Sequence, residues 1–121
     1  MRTVLATALL CFATVAPATE PVDHCGTVLG SLAVELRLAR QLPAGRKTTY
    51  SCAKRYTPLV GATRERVLRV LGTPDRTADD GGWAYVFASK YGEVPEGTPE
   101  LVFRFGAEGL VDTIDCHRTK A

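Results

Sequence analysis

The stretch GATRERVLRVLGTPDRT, Gly61 to Thr77, decides how the chain is read. Thr63 suits an N-cap, because its hydroxyl can accept a hydrogen bond from an amide inside the first helical turn. Val67, Val70 and Leu71 follow at i, i+3 and i+4, an apolar stripe at helical spacing. Gly72 can take the left-handed conformation that closes a helix, and Pro74 forbids continuation. The spacing predicts a helix of about two turns over 63–71. A glycine ahead of a helix can also open a phosphate cradle. Here no Gly-x-Gly-x-x-Gly, Walker lysine or preceding parallel-sheet strand accompanies Gly61, so the helix reads as scaffold.

Upstream, Leu29, Leu32, Leu36 and Ala39 form a second apolar stripe with polar residues outside it, so 26–42 reads as an amphipathic helix ended by Pro43 and Gly45. Residues 46–60 give no single reading: Thr48 to Tyr50 is strand-like, a turn capped by Ser51 could follow, and Pro58 stops either. Downstream, Asp79 to Gly82 marks a turn. Trp83, Tyr85 and Phe87 then alternate with smaller residues, as do Leu101, Phe103 and Phe105 around Arg104. Lys90 to Pro99, with its prolines and glycines, reads as a surface loop, and Gly106 to Gly109 as a hairpin into a third strand over 110–116. Helices ahead of an antiparallel meander imply an α+β fold of two helices packed on a three-stranded sheet.

With 121 residues, 45% hydrophobic and 23% charged, the chain is sized for one small domain. Its first eighteen residues read as a secretory leader, with Arg2 as the n-region, Val4 to Val15 as the apolar run and Ala16-Pro17-Ala18 before the cut. That leaves a polar joint over 19–24, the first helix and its connection over 25–60, the second helix and sheet over 61–116, and a tail over 117–121. No lipid anchor is expected at Cys11 or Cys25, whose neighbours are too bulky or too polar, and no transmembrane segment after leader cleavage. Lys and Arg number 15 against 13 Asp and Glu, too even a balance to imply nucleic acid. The distribution is uneven, however: Arg37 to Arg69 holds nine bases and one acid, Asp75 to Asp115 nine acids and three bases. The basic region suits an acidic protein surface or anionic lipid headgroups, or else forms ordinary solvated helix faces.

The mature cysteines are Cys25, Cys52 and Cys116, an odd number for an oxidising compartment, and three pairings are possible. Cys25 with Cys52 closes the shortest loop, for a stabilisation of about 3 kcal/mol, and is the pairing expected. A metal site built from His24, Cys25, Cys52, Cys116 and His117 lacks any Cys-x-x-Cys pair, so no metal or other cofactor is expected. A Cys116–His24 nucleophile pair would have no readable oxyanion hole. Asp79 and Asp80 suit turn geometry, and Asp112 and Asp115 point to opposite faces of one strand, so neither pair is a natural acid–base couple. No enzymatic activity is expected. Trp83, Tyr85 and Phe87 would be sheet core if the helices cover their face, and a docking surface if they cover the other.

GATRERVLRVLGTP, GWAYVF and ELVFRFGAEGLVDTID together resemble the SmpA/OmlA domain family of BamE-like outer-membrane assembly accessories. Gly61, Thr63, Val67, Leu71, Gly72, Pro74, Trp83, Tyr85, Phe87, Phe105, Gly109 and Ile114 occupy its pattern, over about half the precursor. Members are usually tethered through an N-terminal cysteine, a signal not found here. Ala84 and Ala88 stand where well-known members carry a larger aromatic and an arginine. The resemblance implies a non-catalytic periplasmic or outer-membrane-associated protein that binds a protein partner in outer-membrane protein assembly or envelope integrity. The alternative is a soluble inhibitor of an extracytoplasmic hydrolase, similar to the β-lactamase-inhibitory protein. Arg64, Arg66 and Arg69 on the helix, with Trp83 and Tyr85 on the first strand, are the residues assigned to partner contact.

Overall fold

Asp23 starts the first helix, α1 (His24–Arg40): its carboxylate accepts the Gly26 N–H at 2.9 Å. Leu29, Leu32, Leu36 and Ala39 are buried on one side, as the apolar stripe requires, and Arg37 and Arg40 occupy the last turn, where the helix dipole favours cations. These features belong to a computed structural model that describes residues 22–52 and 55–120; the leader and the first half of the polar joint, 19–21, lie outside the described residues. The second helix, α2 (Arg64–Leu71), is built as its sequence predicts. Thr63 Oγ1 accepts the Arg66 N–H at 3.0 Å, Val67 and Leu71 are buried, and Gly72, at φ +84°, donates to Leu68 O at 2.8 Å.

The sheet has four antiparallel strands in the order β1-β2-β3-β4: β1 (Arg76–Thr77), β2 (Trp83–Val86), β3 (Pro99–Phe105) and β4 (Val111–Arg118). The α+β class holds, but three strands was one too few. β1 is only two residues long, too short for a period-two pattern, and is held opposite Trp83 and Ala84 by a turn in which Ala78 N–H donates to Gly82 O at 2.7 Å. β4 also runs past its expected end, because Thr119 N–H continues the pairing to Thr98 O.

Both helices lie on the sheet face that carries Tyr85, Leu101 and Phe103, all fully buried against Leu29, Leu32, Leu59 and Val67. Each such side chain contributes about 1.5–3 kcal/mol of burial. The segment with no single reading proves to be a lid on this core. Tyr50 stacks on Phe87 at 4.1 Å between ring centroids, its hydroxyl bonds that of Tyr56, and a 3₁₀ turn over Thr57–Leu59 inserts Leu59. Burial and the Tyr56 bond push the Tyr50 hydroxyl pKa up.

The disulfide is not the one expected. Cys52 bonds Cys116, with Cα atoms 5.6 Å apart, and Cys25 is a free, half-buried thiol. Loop length favoured Cys25, but reach decides: Cys25 is fixed in the first turn of α1, whereas Cys52 lies beside β4, where Cys116 shares a face with Leu101.

Candidate functional site

Arg64 opens α2, and the chain entering that helix is pinned to β4: Gly61 N–H donates to Val111 O and Val111 N–H to Ala62 O, both at 2.8 Å. This carries the Arg64 guanidinium over the Phe105 ring, 4.5 Å from its centroid, and Trp83 meets the same ring edge-on at 4.9 Å. A cation over an aromatic face at an exposed site is worth about 0.5–1 kcal/mol. Gly109 makes room for it: at φ +80°, a Cβ there would lie 2.9 Å from Arg64 Nη1. Arg64, Phe105 and Trp83 thus form one patch of exposed and half-buried groups, able to offer a cation and an aromatic edge.

The other residues assigned to partner contact part company. Arg66 reaches back to Asp23 and ties α2 to the cap of α1; the Gly26 amide, and then Arg66, hold the Asp23 carboxyl below its usual range. Gly26 must stay small there, since a Cβ would come within 2.5 Å of Asp23 Oδ2 and 2.9 Å of Arg66 Nη2. Arg69 is exposed in the last turn of α2. Tyr85 corrects the expectation outright. It is 0% exposed, packs edge-to-face on Phe103, and donates its hydroxyl to Gly72 O at 2.8 Å, while burial pushes its pKa up to about 12. It belongs to the core because the helices cover the aromatic face of β2, which leaves Trp83 only half-buried at the margin.

The opposite face of the sheet holds a charged row absent from the sequence reading. Glu100, 4% exposed, accepts two bonds from Arg76 at 2.9 Å and one from His117 Nε2 at 2.8 Å, while His117 Nδ1 bonds Asp115 at 2.7 Å. With a carboxylate on each ring nitrogen, Asp115, then Glu100, raise the pKa of the imidazole. The signal in the sequence was an acid at the second position of an apolar strand, but its partners come from β1 and β4 and could not be read locally. Cys116 is oxidised and offers no nucleophile. Among the described residues no three His, Cys, Asp or Glu side chains are grouped to hold a metal ion, and no helix is long and apolar enough to cross a membrane.

The two-turn helix between Gly61 and Gly72 lies across a meander whose last hairpin returns to the helix N-terminus, where Leu110 bridges Thr63. Residues 59–115 match the outer membrane protein assembly factor BamE domain. The SmpA/OmlA resemblance read from the sequence therefore holds. The BamE match begins at Leu59, takes in α2, β1, β2 and β3, and ends at Asp115 within β4. It leaves α1 and both disulfide cysteines, Cys52 and Cys116, outside the matched residues. No curated protein matches the chain.

Proposed function

We propose that this chain is a non-catalytic, exported envelope protein that binds a protein partner in outer-membrane protein assembly or envelope integrity. The observation that carries the reading is the BamE match over 59–115, which spans α2, β1 to β3 and the first part of β4. In this reading the leader over 1–18 is removed, the protein is periplasmic or peripheral to the outer membrane without a lipid anchor, and the Arg64–Phe105–Trp83 patch and the exposed Arg69 in the last turn of α2 meet the partner. The half-buried aromatic pair offers anchoring area, and the arginines offer bidentate donors for carboxylates.

Chemical crosslinking in intact source cells, followed by purification and mass spectrometry of the non-reduced adducts, tests it. Barrel-assembly subunits among the adducts are the expected result. A single soluble enzyme with no assembly subunit would sink the proposal.

A further inference from the structure

We infer that the groove between the C-terminal halves of α1 and α2, with its continuation under the β2–β3 loop, seats a short acidic segment of a protein partner, an apolar side chain flanked by carboxylates. The inference rests on the protein-partner reading above and names a second surface for it, away from the Arg64 patch.

The groove has two connected parts. A cavity of about 290 Å³ is floored by Ala33 and Leu36 of α1 and Val70 and Leu71 of α2, with Arg37, Arg40 and Lys90 at its rim. A second, of about 160 Å³, is walled by Val86, Ala88 and Val94 and shares Arg40 and Lys90 with the first. The rim is built rather than loose: Ser89 Oγ donates to Leu42 O at 2.6 Å and Lys90 N–H to Arg40 O at 3.1 Å, which fastens the start of the loop to the end of α1.

Charge selects the occupant. Arg40 is neutralised by Asp75, donating to both carboxylate oxygens at 3.1 and 3.2 Å, and Asp75 also accepts the Val86 N–H at 2.7 Å. Among the described residues, Arg37 and Lys90 have no carboxylate within ion-pair distance, so the rim keeps two uncompensated cations around an apolar floor. The first cavity lies at the lower edge of the roughly 300–1,000 Å³ of small-molecule pockets and suits one or two side chains. A peptide meets the whole lining: an apolar side chain for the floor, carboxylates for Arg37 and Lys90, and backbone N–H donors on the side where Asp75 stands.

The test uses the full mature protein and its R37E/K90E variant, both positions being exposed, with far-UV circular dichroism as the check on folding. In 15N NMR titrations, the peptide acetyl-Glu-Glu-Leu-Glu-Glu-amide is expected to shift the amides of Ala33, Leu36, Val70, Leu71 and residues 89–91. Affinity should fall at least tenfold in R37E/K90E, and a lysine analogue of the peptide should produce no shifts. No shifts at millimolar peptide, or shifts elsewhere, overturn the inference. So does R37E/K90E-sensitive flotation with phosphatidylglycerol vesicles, which would give the groove to a phosphate headgroup. In cells, a photo-crosslinker at Arg37 should capture an acidic stretch of a partner, identified by peptide mapping. Adducts from a crosslinker at Arg64 but none from Arg37 overturn this inference and leave the protein-partner reading standing; none from either position overturns both.

Discussion

Breaking the Cys52–Cys116 bond should remove a large share of the protein's stability. The two cysteines are separated by 64 positions, and the bond crosses from the lid over the core to the last strand. On the chain-entropy account, closing a loop of that length takes about 4 kcal/mol of freedom from the unfolded chain, against about 5–15 kcal/mol for a whole domain of ordinary stability. At 4–8 °C per kcal/mol for a domain this small, the melting temperature should fall by about 15–30 °C. Urea unfolding followed by fluorescence of Trp83, the sole tryptophan, would compare the oxidised protein with C52S/C116S. The midpoint should drop and the slope m should rise, since the effect lies in an unfolded state that can now expand, while the native far-UV spectrum stays the same. C25S is the control, because Cys25 is a free thiol and its replacement should cost no more than about 1 kcal/mol. Equal stability of C52S/C116S and the oxidised protein, or peptide mapping that finds Cys25 joined to Cys52, would refute the reasoning.

Three further outcomes are expected. Tyr85→Phe removes the donor to Gly72 O in a fully buried setting and should destabilise by about 1–2 kcal/mol, measured by urea unfolding; a neutral result would mean that the carbonyl finds water. Gly109→Ala places a Cβ at φ +80° and against Arg64 Nη1; it should cost about 1–2 kcal/mol and move the Trp83 emission as the guanidinium leaves Phe105, and unchanged emission would contradict the packing. His117 has a folded pKa raised above 6.5, so the stability it adds is complete below that pH and fades as pH rises through the raised value, whereas Asp23 and Asp80, lowered from 3.8, add stability above that pH that is lost on acidification. The urea midpoint should therefore decline as pH rises above 6.5 in the wild type and less so in His117→Gln; equal slopes would exclude His117 as the group responsible.

Elements whose signals are local in the chain were legible. Thr63, Gly72 and Pro74 bound α2 because capping and positive-φ closure involve residues within one turn of each other. The stripe of Leu29, Leu32, Leu36 and Ala39 located α1, and the alternation around Phe103 located β3, because burial on one face imposes a period. β1 escaped, since two residues carry no period. The lid over 46–60 escaped as well: Tyr50 and Leu59 are buried by contacts to Phe87 and α1, far away in sequence.

The sequence by itself determined the α+β class, the bounds of α2, and the SmpA/OmlA resemblance that agrees with the BamE match over 59–115, because each rests on spacing between near neighbours. The tertiary structure alone decided four things: which cysteines pair, that Tyr85 is core while Trp83 stays at the margin, that Arg66 serves Asp23, and that Arg37 and Lys90 flank one groove. Each depends on distances between residues remote in the chain, and a linear order of side chains carries charge and polarity but not reach.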